Sequence, residues 1–437
     1  MDSSAVGVET ASDLLPQRCD EPGKCRIFDM NGRQIGAVGD FVVSGSSSEG
    51  LAAVRLGETD LQGYMDASGT WAIPPKFRRA GPFCEGRAAV QAVGDRWFYI
   101  DREGKQVGDI WDGAEAFTEG RAMVSVFKGG DTWLHGFIDV TGKLVIPAKF
   151  PAARLFSDGR AAVRVDDVKW GYIDRDGNVV IAPRFGEAEL FHAGRAGIRT
   201  STGWAKNSGL IDETGKLVVE ARYEQVSKVA DADLWRVSIT DPSYRGKGEA
   251  PLLSQIVDRN GHLISKDKFH HVGFPSEGLI DVCHAGKCGF VDAQGKIIVP
   301  LKFKYAESFA EGLAAAALDG NKYGFIDRTG KFAIPARYDS LGPNDEHFSA
   351  GPFVNAIAPA GCGGRWGFID KQGAWAIPPV YRFARGFDNG FAEVQVKTGT
   401  GHIKPDGTAI DFHPDEVDTV SVPERPCGAP LAKRDTK

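Results

Sequence analysis

Histidine and cysteine crowd one stretch of the chain: His262, His270, His271, Cys283, His284 and Cys288 fall within 27 residues. Imidazole and thiolate at that density are the ligands zinc takes, so His270, His271, Cys283, His284 and Cys288 form the candidate metal set. Their spacing matches no structural zinc pattern, and the periodicity described below spreads them over different strands and turns, so the expectation is no bound metal. Cys283 and Cys288 flank His-Ala-Gly-Lys, as Cys19 and Cys25 flank Asp-Glu-Pro-Gly-Lys. Each pair straddles a hairpin where a cross-strand disulfide is geometrically open, and oxidised pairs would imply a periplasmic or extracellular setting. The opening Met1-Asp2-Ser3-Ser4 has no basic and apolar regions of a signal peptide, which favours reduced thiols and a cytoplasmic setting. Cys84, Cys362 and Cys427 have no partner evident in the sequence.

Other chemistries find less support. His135, His192, His347, His402 and His413 are scattered, no Gly-x-Ser-x-Gly elbow accompanies them, and Gly246-Lys247-Gly248 is too short for a phosphate loop. No catalytic residue, no cofactor and no enzymatic activity are expected. With 52 basic against 58 acidic side chains the formal charge is -6, which gives no footprint for a nucleic-acid backbone. No stretch approaches the roughly 18 consecutive apolar residues of a transmembrane helix.

An aspartate series dominates the rest. An apolar residue, Asp, two variable residues and Gly recur from Phe28-Asp29 with Gly32 to Ile369-Asp370 with Gly373, and a decayed copy follows at Ile403-Lys404 with Gly407. The aspartates are mostly 34 to 38 residues apart, with longer gaps of 46 from Asp212 to Asp258 and 43 from Asp327 to Asp370. Sustained periodicity of this kind marks one array of small units rather than a string of domains. Asp at the first and Gly at the fourth position of a turn is a hairpin device, so the aspartates, and the acidic-Gly pairs such as Glu85-Gly86 and Glu119-Gly120, are read as turn residues. Trp170-Gly171-Tyr172-Ile173 and Val179-Val180-Ile181 become two strands of a hairpin, and Ala161 to Val165 a third.

The expected fold is therefore all-β, a tandem repeat of about 10–11 three-stranded antiparallel meander units. The Phe-x-x-Ala-x-x-Phe-x-Glu-Gly stretch between units is read as the crossing connection, with room for a short fourth strand. A propeller-like ring is preferred over an open superhelical solenoid, because N-terminal residues can complete the final unit and abolish an exposed edge. Residues 1–24 form an N-terminal segment, partly disordered, available as a closing strand; 25–411 form the array; 412–437 form a Pro-rich tail with the composition of a loosely attached segment.

Trp-Gly-aromatic-Ile-Asp-x-x-Gly-Lys, then Ile-Pro, an aromatic and Phe-x-Glu-Gly-x-Ala-x-Val, resembles the bacterial WG-repeat family, also called KWG repeats. The resemblance covers about Cys25 to Asp411, although only Trp170-Gly171 and Trp366-Gly367 keep the eponymous pair. It implies a bacterial β-rich repeat protein of the interaction-module kind, and it transfers no catalytic residue.

Regular spacing marks fold, so function is sought where the pattern breaks. One insert spans Ser238 to Leu253 and another Gly342 to Arg365; insertions in repeat proteins collect as loops on one face and form binding surfaces. Tyr244, Arg245, Lys247, Asp345, His347 and Arg365 are the candidate binding residues. The expected function is a non-catalytic scaffold for a protein or peptide partner of unknown identity. The alternative is a carbohydrate- or envelope-binding module with Trp71, Trp111, Trp204, Trp235 and Trp375 as stacking platforms.

Overall fold

The structure is a computed structural model. It describes the backbone of Gln17–Glu21, Lys24–Phe28, Gln34–Ile35 and Phe41–Val43, and residues 48–429 except 57–58, 67, 93, 166–167, 202–206, 230–232, 247–249, 321, 340–351, 389 and 418–424. Among the described residues there is no α-helix.

The hairpin device works as its chemistry dictates. Asp174 Oδ1 accepts the N–H of Asp176 at 3.0 Å and of Asn178 at 2.8 Å, while Gly177 takes a φ of 84° that a side chain would resist. Equivalent aspartate-to-backbone bonds recur at Asp66, Asp139, Asp212, Asp258, Asp292, Asp327 and Asp370. The glycine of the Trp-Gly pair has a different duty. A Cβ on Gly171 would lie 2.5 Å from the Ile181 carbonyl, because the register of the last two strands shifts there.

Among the described residues eleven antiparallel sheets follow one another, seven with four strands and four with three, each with neighbouring strands in simple sequence order. The fifth is built from Ala152–Ser157, Arg160–Arg164, Trp170–Ile173 and Val179–Phe185. The unit is therefore a four-stranded meander, not the three-stranded one expected. The stretch taken for a connection supplies the first strand of each new sheet. A bulge between Ala153 and Phe156 breaks the alternation in that strand, so its period of two is lost from the sequence.

A single such sheet cannot bury its own apolar face, and the core lies between consecutive sheets. In seven units the aromatic two residues before the hairpin Asp meets a Phe at or just beyond the first strand of the next sheet. Tyr64 and Phe83 sit 4.8 Å apart between ring centres, Tyr172 and Phe191 4.8 Å, and Phe290 and Phe309 4.7 Å. Tyr99–Phe117, Phe137–Phe156, Phe325–Phe353 and Phe368–Phe387 repeat the contact.

The C-terminal tail is docked where it is described, contrary to the expectation of a loose segment. A turn at Pro426–Gly428 returns to the ninth and tenth sheets: Trp375 Nε1 donates to the Pro426 carbonyl at 3.0 Å, Arg337 to that of Gly428 at 3.3 Å, and Ala429 is buried. Cys427 is disulfide-bonded to Cys362, 65 residues away. The same position on several other last strands, at Val179, Leu144, Leu217 and Ile297, is exposed to solvent; here the tail covers Trp375. Near the other end, Gln17–Glu21 lies against Gly399–Ile403 of the last sheet.

Candidate functional site

Two series of contacts join the sheets. The aromatic pairs are one. The second starts from the acidic-Gly turns, which do more than turn the chain: the carboxylate of one sheet accepts a backbone N–H from the equivalent turn of the next. Glu85 takes the N–H of Gly120 at 2.9 Å, Glu119 that of Gly159 at 2.8 Å, Asp158 that of Gly194 at 2.7 Å and Glu277 that of Gly312 at 3.1 Å. Glu49 and Glu311 do likewise with Gly86 and Ala356. A cation from the next sheet's Asp-x-x-Gly hairpin completes several of these joints: Arg102 on Glu49 at 3.3 Å, Arg175 on Glu119 at 3.0 Å and Lys371 on Glu311 at 2.9 Å. The Lys371 bond, aided by backbone donors, holds the Glu311 carboxyl below its ordinary range.

Both series lapse around the seventh sheet, formed by Gln225–Lys228, Leu234–Thr240 and Leu252–Asp258. Ala193 stands where a carboxylate is required, Leu210 and Ile256 stand where the third-strand aromatic is required, and Val229 and Pro275 replace the Phe that would meet it. The second strand changes too. Opposite the third-strand aromatic it carries Ala53, Ala89, Ala162 and Ala315, but Arg236 lies opposite Ile256 and Asp281 opposite Phe290.

Two clefts border the seventh sheet. One of about 400 Å³ is lined by Arg154, Glu189, Arg199, Gln225 and Trp235. Its charges are mutually engaged, with Arg154 on Glu189 at 3.6 Å and Arg199 on Glu187 at 3.4 Å. The larger, about 920 Å³, is walled by Lys228, Arg236, His271, Phe274, Asp281 and Lys304, with Phe309 behind. Asp281 is buried; its carboxylate meets His271 Nε2 at 3.0 Å and accepts from Ser308 Oγ at 2.9 Å. It fits because Gly273 faces it: a Cβ there would lie 2.1 Å from the carboxylate. Phe274, 67% exposed, stands at the rim.

The residues singled out from the sequence fare unevenly. Cys283 and Cys288 lie opposite each other and are disulfide-bonded, which overturns the preference for reduced thiols and removes both as metal ligands. His270 stacks on His284 at 4.8 Å, takes the Ala285 N–H on Nδ1 at 3.2 Å and approaches Asp241 at 3.5 Å. Asp339, Cys362 and Cys427 bring donor atoms within 4.8 Å of one another, but the two sulfurs are bonded together. Cys19 faces Cys25 in the backbone register, while their side chains lie outside the described residues. In the first insert Arg245 curls onto its own loop, donating to the carbonyls of Pro242 and Tyr244 at 2.8 and 2.9 Å; Tyr244 is half-buried. Lys247, Asp345 and His347 lie outside the described residues, and Arg365 belongs to the strand Arg365–Asp370. The inserts thus do not assemble into one surface among the described residues.

Three of the proposed sugar platforms, Trp111, Trp235 and Trp375, are core, and Trp204 lies outside the described residues. Arg236, Asp281 and Phe274 were missed. The signal for Arg236 and Asp281 was the departure from the alanine that four other sheets carry at that position, visible only after the units are aligned strand by strand; Phe274 left no such signal.

No curated protein matches the chain. Among solved structures it is similar to BamB from Moraxella catarrhalis, with 13% identity over 64% of this chain and 92% of that one and a TM-score of 0.32. It is also similar to the WD40 β-propeller domain of Doa1, with 11% identity over 54% and 87% and a TM-score of 0.25. A third likeness is to PorZ, a bacterial surface component of the type-IX secretion system of Porphyromonas gingivalis, with 12% identity over 82% and 54% and a TM-score of 0.26. The model of the WG containing repeat matches residues 63–97, 97–126, 136–168, 170–201, 209–231, 289–321, 323–348 and 366–397. Its longest internal gap, 232–288, holds Arg236, Phe274 and Asp281. With more than half of its length matched, the chain belongs to the WG containing repeat family.

Proposed function

We propose that this chain is a non-catalytic repeat scaffold that binds a protein or peptide partner at the interruption between its sixth and ninth sheets. One observation carries the reading: the aromatic and carboxylate joints lapse together, and the 920 Å³ cleft opens there with polar groups and an exposed Phe on its walls. Binding sites are concave, largely apolar and furnished with a few placed polar groups; a cleft on the regular fourth and fifth sheets, lined by Trp133, His135 and Arg164, has about half the volume, 460 Å³. A photo-crosslinking side chain placed at Phe274 is expected to trap a protein partner in the native cell, while the same group at Ile110, an exposed residue of the third sheet, traps none. Equal trapping at both positions, or none at either, sinks the reading.

The units are further proposed to close as a propeller-like ring rather than an open superhelix. Packing of Gln17–Glu21 against Gly399–Ile403 supports closure, and small-angle scattering that demands an extended particle would oppose it. A carbohydrate-binding reading keeps one supporting feature, the exposed pair Phe127 and Trp133 on the long hairpin of the fourth sheet, 5.0 Å between ring centres. Quenching of Trp133 fluorescence by a glycan, lost in Trp133→Ala, is the measurement that would favour it.

A further inference from the structure

We infer that the 920 Å³ cleft recognises an acidic, partly apolar segment of a partner protein. The inference rests on the scaffold reading above and names what the cleft takes. Its charges are unevenly committed. The two carboxylates are already served, Asp281 by His271 and Ser308, and Glu307 by the Tyr305 hydroxyl. The cations are not. Arg236 is held at the wall by Ser227 Oγ at 3.2 Å and the Val272 carbonyl at 3.5 Å, and no described carboxylate lies within ion-pair distance of Arg236, Lys228 or Lys304, all of which line the cleft. Elsewhere on this acidic chain many arginines have acidic partners, as at Arg55–Asp60, Arg175–Glu119 and Arg328–Glu277, while others, Arg87 and Arg337 among them, bond backbone carbonyls. What sets this cleft apart is three cations lining it together.

A guanidinium installed at a position that is alanine in four other sheets, and given no carboxylate, is a standing demand for an anion. Guanidinium forks meet carboxylates in bidentate, charge-assisted bonds. A basic ligand would instead face three cations and two carboxylates already engaged. The apolar part of the ligand has its own surface: Phe274 at the rim, with Val272, Ala306 and Phe309 behind it. Small organic acids share this chemistry, so the test must separate them from a chain segment.

Fluorescence polarisation on the full chain decides it, using three labelled peptides of equal length and identical apolar residues whose alternate positions are Glu, Gln or Lys. The Glu peptide is expected to bind at least ten-fold more tightly than the Gln peptide, with the Lys peptide weaker still. Binding should fall ten-fold or more in Lys228→Gln/Lys304→Gln, which alters side chains outside the core, and likewise in Arg236→Gln if circular dichroism shows it folded. Phe274→Ala should weaken all peptides, and Arg245→Gln none. Equal binding of the Glu and Gln peptides, or a preference for Lys, overturns the inference. So does binding of phenylacetate at this cleft without binding of the Glu peptide. The two readings fail separately: neutral partner segments trapped at Phe274 refute the acidic preference alone, whereas the absence of any trapping refutes the scaffold.

Discussion

Six of the hairpin aspartates, Asp66, Asp139, Asp174, Asp212, Asp258 and Asp327, have carboxyl groups held below their ordinary range by the turns they make. At Asp66, Asp139 and Asp327 a neighbouring hydroxyl, Ser68, Thr141 or Thr329, is the main cause of a carboxyl pKa below the ordinary range. At Asp174, Asp212 and Asp258 desolvation works in the opposite direction and is outweighed by side-chain and backbone donors. A depressed carboxyl stabilises the fold above its unfolded pKa of about 3.9, and that contribution is lost as pH falls through the folded value. Tyr64, Tyr99 and Tyr172 are shifted the other way by burial, and Tyr381 is pushed up to about 12. Their contribution is complete below the unfolded tyrosine pKa of about 10 and is lost as pH rises further. The denaturant midpoint is therefore expected to be level across neutral pH, to fall below about pH 4 and to fall again above about pH 10, with tyrosinate absorbance tracking the alkaline limb. A midpoint that declines steadily through neutrality would refute both assignments.

Elements are held by the layer between sheets more than by the hairpins themselves. Phe191→Ala removes a fully buried ring packed on Tyr172 and is expected to cost about 3–5 kcal/mol in chemical denaturation. Tyr172→Phe keeps the ring and loses the bond to the Glu189 carbonyl, a cost of about 1 kcal/mol. Reversal of that order would mean the hydroxyl, not the ring, joins the sheets. Cys427→Ser opens a covalent loop closed across 65 residues. Loop entropy sets the loss at no more than about 4 kcal/mol, and Trp375 fluorescence should shift as the tail frees it.

How much of this was legible follows from how each residue does its work. Asp174 and Gly177 act within five residues, and their turn could be read directly. The Cys283–Cys288 bond was also local, yet an argument from the first four residues of the chain outweighed it. Strand Ala152–Ser157 was hidden by its bulge. Glu119 is the turn residue expected, but its second duty was hidden because the N–H it accepts belongs to Gly159, 40 residues on, and Cys362 could not be matched to a cysteine in a tail judged loose. What was lost was the long-range half of each interaction.

On the scale of the molecule, a stack of sheets that touch only their neighbours behaves as a line of coupled units whose cooperativity depends on every coupling being comparable. Here the couplings on either side of the seventh sheet lack their aromatic pairs, and the one from Ala193 has no carboxylate. Unless closure of the ring couples the first sheet firmly to the last, the line is expected to divide into two cooperative blocks, one ending at the sixth sheet and one beginning at the eighth. Native-state hydrogen exchange at low denaturant checks this: the amides of Ala161–Val163 and of Ala314–Ala316 should report different opening free energies, and a common value would show the weak coupling to be immaterial. A partner seated in the cleft touches the seventh sheet together with the eighth and ninth, and so spans the weakened coupling between the seventh and eighth. It would then act as the missing coupling, so that its arrival could be recorded as two unfolding transitions merging into one.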